Sequence, residues 1–313
     1  MQDIGFVGVG TMAAPMVWRF IERGWRVHLL DPAPEATAPF HGHTQATVHD
    51  DVAALLHNAG VVLLSLPSPA ILVEVAKRLS AATANVAEPA VVINTSTTGL
   101  IATREAAAEL TAAGLSFVDA PVSGGAAGAR RGSLTIMVSG APKVVARCTS
   151  VFEVIGEHVL HVGPEPAQAQ VMKVANNLLS LGALAATAEA TALTSKAGIP
   201  LDVAIDVLNV SSGRNSATAV KFPDAVLTGL FNFGFPTEGA LKDVSLFAEL
   251  ASELGAPAPL ASAVAACWRL AVDHGYGEQD CTRIATMYEQ MAGLPVQGTS
   301  GEAMADKTPE MPA

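Results

Sequence analysis

The chain has 313 residues, half of them apolar and 15% charged, enough for two domains with a substantial core. Its formal net charge of -11 speaks against nucleic acid or an anionic membrane as the main partner, and leaves open a small anionic substrate that feels only local fields. Three scattered cysteines, Cys148, Cys267 and Cys281, make neither a disulfide framework nor a zinc site. With no basic leader or cleavage motif before Ile4, a soluble, cytoplasmic protein is expected.

The first half alternates short apolar runs with amphipathic stretches. Strands are predicted at 4–7, 27–30, 61–66, 91–94, 116–118 and 134–138, each bounded by Gly, Pro, Asp or Ser. Between them a helix over 11–23 stops at Gly24. A second opens at Ser68-Pro69, and a third over 100–113 stops at Gly114. This order predicts an α/β Rossmann-type, doubly wound parallel sheet.

After about residue 162 the strand signals stop. Helices are predicted over 165–196, 201–209, 237–254, 260–272 and 278–291, so the second half reads as all-helical. The first of these is long enough to join both halves. Asn and Glu interrupt its apolar stretch, as in a core helix and not a membrane span. The expected domains are a dinucleotide-binding domain, 1–162, a helical substrate and oligomerisation domain, 163–292, and a disordered tail, 293–313.

Gly8-Val9-Gly10-Thr11-Met12-Ala13 follows the first strand and opens the first helix, the G-x-G-x-x-[GA] fingerprint in its required context. Gly8 suits a tight turn, Gly10 a close approach to a pyrophosphate, and Ala13 helix–strand packing, with the helix N-terminus facing the phosphates. Asp31 closes the second strand about 20 residues on, where a carboxylate accepts from the ribose hydroxyls of NAD and repels a 2′-phosphate. NAD is therefore expected as cofactor, and no metal: His41-Gly42-His43 has no third ligand spaced nearby.

Two further features carry chemistry. Asp119-Ala120-Pro121-Val122-Ser123-Gly124-Gly125 follows a strand and offers a hydroxyl and backbone N–H groups suited to a carboxylate. Lys173 is a cation on an apolar helix whose only other charge between Val171 and Ala192 is Glu189, so it is either a snorkelling surface group or a buried proton carrier.

With these motifs the chain resembles the β-hydroxyacid dehydrogenase family, which includes 3-hydroxyisobutyrate dehydrogenase and tartronate semialdehyde reductase, and the first part of 6-phosphogluconate dehydrogenase. The resemblance runs from about residue 3 to 291. It rests on the fingerprint, the 119–134 loop, Lys173 to Asn177, Ser211-Ser212-Gly213-Arg214 and Lys242-Asp243. It implies a Rossmann domain, a long connecting helix and an all-helical domain. It implies that Ser123, Gly124 and Gly125 hold the substrate carboxylate, that Lys173 is the acid–base residue, and that Asn177, at i+4, binds the substrate hydroxyl or orients the lysine. Leu66, Pro67, Ser96, Thr97 and Lys242 would lie along the cofactor. Four positions depart from the family pattern: Ala167 and Ala169 replace Gly-x-Gly, Asn94 replaces the acid of Asp-x-Ser-Thr, and Leu100 stands at a proline position.

The implied reaction is NAD-dependent interconversion of a small 3-hydroxy acid and its semialdehyde or oxo acid. Burial on the apolar helix and a positive nicotinamide both disfavour the ammonium, so neutral Lys173 would accept the hydroxyl proton. Alternatives are a tartronate semialdehyde or imine reductase and, from another class, a non-catalytic NAD-binding protein. The apolar helical half also predicts a homodimer or homotetramer.

Overall fold

The computed structural model describes residues 2–83 and 90–295. The chain divides into two compact units, Met1–Asn176 with Glu249–Gly255, and Asn177–Ala248 with Ala256–Ala313. From residue 296 onward the expected tail lies outside the described residues; before it, Leu294 N–H closes onto the Glu289 carbonyl.

The first unit is built on a sheet of β1 (Asp3–Val7), β2 (Arg26–Leu30), β3 (Ala46–Val48), β4 (Val61–Leu64), β5 (Val91–Asn94), β6 (Ser116–Asp119), β7 (Val122–Ser123), β8 (Leu134–Ser139) and β9 (Gly156–Gly163). The order is β3-β2-β1-β4-β5-β6-β8-β7, with β9 paired to β8. Successive strand residues face different cores: Phe6 and Leu63 pack with Met16, Phe20 and Phe152, whereas Val7 and Leu64 pack with Leu55, Leu72 and Leu110. A sheet buried on both faces explains why these strands read as unbroken apolar runs. Helices α1 (Ala13–Glu22), α2 (Pro34–Thr37), α3 (Val52–Asn58), α4 (Pro69–Ala81), α5 (Leu100–Ala112), α6 (Gly125–Arg131), α7 (Pro142–Arg147) and α8 (Thr149–Ile155) accompany the sheet. Ser68 caps α4 by accepting from Ile71 N–H, and Asp51 caps α3 by accepting from Ala54 N–H.

The sheet is not wholly parallel. Strand β8 runs antiparallel to β6 and β7, because the link from Asp119 to Leu134 is consumed by two-residue β7 and short α6 and turns the chain back on itself. Met137 N–H closes this turn on the Pro121 carbonyl.

Helix α9 (Gln168–Lys196) follows, and the division between units falls within it, between Asn176 and Asn177. The second unit adds α10 (Leu201–Asn209), a π-helical segment (Ala217–Val226), α11 (Thr237–Glu253), α12 (Pro259–Ala271) and α13 (Ile284–Met291) around Leu184, Phe222, Trp268 and Ile284. Pro223 lies inside the π-helical segment, where its missing N–H works against an ordinary helix. The last helix starts later than its periodicity predicts, since Asp280 accepts from the Thr282 N–H and hydroxyl and holds a 3₁₀ turn over Cys281–Arg283.

Candidate active site

Gly8, at φ 87°, is required where it stands: a Cβ there would lie 2.2 Å from the Ser65 carbonyl oxygen. A Cβ on Gly10 would meet nothing within 4 Å, so the backbone faces open space there. Ala13 is fully buried under the sheet. Helix α1 has neither a side-chain cap nor an acidic residue in its first turn, so the N–H groups beyond Met12 suit an anion. Asp31 accepts from Val9 N–H at 2.7 Å through Oδ2 and from Ala33 N–H at 2.9 Å through Oδ1. The carboxylate thus braces the glycine loop and, with two lone pairs per oxygen, keeps acceptor capacity for ribose hydroxyls. Gly8, Val9, Gly10, Thr11, Met12 and Asp31 fit a dinucleotide.

The ends of β4 and β5 are tied together beside this loop. Ser96 Oγ accepts from Leu66 N–H at 2.7 Å, which joins two of the positions expected along the cofactor. The turn from Ser96 to Gly99 is held by a residue the sequence reading passed over. Gln170, fully buried on α9, accepts through Oε1 from Thr98 N–H (2.9 Å) and Gly99 N–H (3.1 Å). Its Nε2 donates to the Ser96 carbonyl (3.0 Å) and to Asp119 Oδ1 (2.7 Å).

Asp119 opens the loop that carries Ser123, Gly124 and Gly125. Ser123 is half-buried at the end of β7, opposite Thr135, and Gly124 and Gly125 take φ of 129° and 63°. Only glycine adopts such angles readily, which keeps this backbone bare of side chains. Asn94 Nδ2 donates to Asp119 Oδ1 at 3.2 Å and to Thr98 Oγ1 at 3.1 Å. An acid at position 94 would set two carboxylates against each other; the amide donates instead. Asp119 is wholly buried, its Oδ2 has no hydrogen-bond partner, and desolvation pushes its pKa up to about 7 against the donors Gln170 and Asn94.

Three residues after Gln170, Lys173 is 7% exposed, so it is buried and not a snorkelling surface group. The substituted glycine positions ahead of it, Ala167 and Ala169, are both fully buried, and Ala169 N–H donates to Ser139 Oγ at 3.0 Å. Ala167 adopts φ 70°, a left-handed conformation that explains why glycine is usual there.

Asn177, one turn beyond Lys173 on α9, donates through Nδ2 to Asp243 Oδ2 at 2.6 Å, and both side chains are buried. Lys242 Nζ lies 3.2 Å from the other oxygen of Asp243. The sequence reading gave Asp243 no role of its own. Arg130 and Arg131, at the end of α6, and Arg214 are exposed, and His43 packs edge-on against Trp18.

Comparison with known proteins agrees with this fold. Residues 3–163 match the family model of the NAD-binding domain of 6-phosphogluconate dehydrogenase, and residues 167–288 match the NAD-binding domain of NADP-dependent 3-hydroxyisobutyrate dehydrogenase. The chain belongs to the β-hydroxyacid dehydrogenase family. It is 31% identical to the 2-(hydroxymethyl)glutarate dehydrogenase of Eubacterium barkeri, over 94% of this chain and 97% of that one. It is 30% identical to the NAD-dependent L-serine dehydrogenase of Pseudomonas aeruginosa, over 94% and 100%. Among solved structures, Mycobacterium tuberculosis 3-hydroxyisobutyrate dehydrogenase with L-serine superposes with a TM-score of 0.82 at 28% identity, covering 92% of this chain and 99% of that one. This β-hydroxyacid dehydrogenase is an NAD-dependent oxidoreductase acting on CH–OH groups.

Proposed function

We propose that the enzyme interconverts a small 3-hydroxy acid and its semialdehyde or oxo acid, most like 3-hydroxyisobutyrate, with Lys173 as the acid–base group. The observation that carries this reading is a buried lysine one helical turn before an asparagine whose amide is fixed by a buried carboxylate. Gly8, Val9, Gly10, Thr11 and Met12 hold the phosphates, Asp31 the ribose, and Leu66, Pro67, Ser96, Thr97 and Lys242 the nicotinamide end. When bound, NAD supplies the hydride acceptor.

The rest is done by the chain. Ser123, Gly124 and Gly125 fix the substrate carboxylate. Neutral Lys173, favoured by removal from water, takes the hydroxyl proton, and as ammonium it returns that proton in the reverse direction. Asp243 commits Asn177 to one orientation, which sets the substrate hydroxyl or the lysine amine in a single pose.

The test is NADH formation with 3-hydroxyisobutyrate, D-glycerate, 3-hydroxypropionate and L-threonate, repeated on Lys173→Ala. Turnover with at least one acid, falling by roughly 10²–10⁴ in the variant while NAD still binds, is expected. Silence with all four acids, or a variant within about tenfold of wild type, contradicts the reading.

A second copy of the chain is proposed to cover Leu179, Leu193 and Val210, which expose 71%, 72% and 88% of their surface. Light scattering that returns a monomer mass would contradict this.

A further inference from the structure

Among the described lysines and arginines only Lys173 and Lys221 are buried, at 7% and 4% exposure. Lys221 lies in the π-helical segment. Its ammonium donates to Ser180 Oγ at 2.9 Å and Ser216 Oγ at 3.3 Å, and sits 5.2 Å from the centre of the Phe233 ring. No described carboxylate stands within ion-pair distance of it.

The neighbouring groups do not supply the missing charge. Burial pushes the nearby Cys281 thiol up, so its sulfur stays neutral. Asp280, adjacent in sequence, spends both oxygens on Gly234, Phe235 and Thr282. Asp224, on the same segment, is exposed. An ammonium removed from water without an anion is costly, and desolvation accordingly lowers the pKa of Lys221.

Ser180 gives this cation its place. It follows Asn177 by three residues and Lys173 by seven, so the three side chains share one face of α9. At 1.5 Å per residue, Ser180 lies about 4.5 Å beyond Asn177 and about 10 Å beyond Lys173 along the axis. Ser180 is half-buried and Asn177 and Lys173 are buried, a polar row along this face of the helix.

We propose that Lys221, with Ser180 and Ser216, receives a second anionic group of the substrate, a carboxylate or sulfonate a few bonds beyond the carbinol carbon. The substrate class is then a hydroxy acid with two anionic ends. This deepens the hydroxy-acid reading above and rests on it. Lys221 acts as a specificity residue: it pairs with the distal anion and takes no part in proton or hydride transfer.

The matched probes are 3-hydroxyisobutyrate and 2-(hydroxymethyl)glutarate, which differ only in a methyl group against a propionate arm. Wild-type kcat/KM is expected to favour the diacid by about tenfold or more. Lys221→Met should lose roughly 100-fold on the diacid, carried by KM, and stay within about threefold on the monoacid; Lys221→Arg should keep most of the preference. Equal losses on both substrates, or a wild type without preference for the diacid, overturn the proposal. Should Lys221→Met fail to fold, the wild type still decides. Glutarate should inhibit competitively at about a tenth of the butyrate concentration or less, and equal inhibition constants overturn the proposal. Absence of turnover with both substrates contradicts the dehydrogenase reading alone. Thermal stabilisation of the wild type by glutarate and not by butyrate then reports the Lys221 subsite, and equal stabilisation overturns it.

Discussion

Gln170 donates to Asp119 at 2.7 Å, and with the same side chain it holds Ser96, Thr98 and Gly99. One buried amide therefore ties the start of the long helix to the turn from Ser96 to Gly99 and to the first residue of the loop that runs from Asp119 to Leu134. Asp119 is the sensitive partner, because desolvation raises its pKa from 3.8 to about 7. Between those values the folded protein binds a proton that the unfolded chain releases. The stability this contributes is whole below about pH 4 and lost as pH rises through about 7, with a slope of about 1.4 kcal/mol per pH unit. Asp119→Asn removes the titration. Urea unfolding of both proteins from pH 4.5 to 8 should show the variant gaining on wild type by a few kcal/mol as pH rises. A constant difference would mean that Asp119 does not titrate in this range.

Asp31 braces Val9 and Ala33 with its two carboxylate oxygens, and in the proposed reading it also meets the ribose. Asp31→Ala should raise the NAD dissociation constant by about tenfold or more, since two loop hydrogen bonds and the ribose acceptor go together. It should also narrow the preference for NAD over NADP, because the repulsion of a 2′-phosphate is gone. Fluorescence titration with both dinucleotides measures this; an unchanged ratio would assign Asp31 to the turn alone.

Ala167 carries the strain of a left-handed backbone, φ 70°, directly before α9. Ala167→Gly should stabilise the protein by about 1 kcal/mol, the relief of the Cβ clash outweighing the entropy of a new glycine. Chemical denaturation checks the value. Destabilisation would show that the buried methyl contributes more through packing than it costs in strain.

Much of this molecule is written in local patterns. Strands buried on both faces announce themselves as runs such as Val61–Leu64, and Ser68-Pro69 marks the start of α4 one residue at a time. The glycine loop and Asp31 are legible because their spacing along the chain follows from the turn they build. What stayed hidden depends on partners far away in sequence. Gln170 reads as an ordinary polar residue until Asp119, 51 positions earlier, is brought to it. Asn177 and Asp243 are 66 positions apart, and no periodicity links them. Strands β3 and β7 escape notice for another reason: they span only three and two residues, so they carry no apolar run. The π-helical segment is masked by Pro223, which argues against any helix there.

The central claim is that the amine of Lys173 moves the proton. Its most direct test is chemical rescue: kcat of Lys173→Ala with 3-hydroxyisobutyrate and NAD, or with another acid from the panel that the wild type oxidises, measured against rising methylamine at several pH values. The account predicts a rate that rises linearly with the free-base amine concentration, with NAD affinity unchanged. A rate indifferent to added amine in a variant that binds NAD and substrate normally would contradict it.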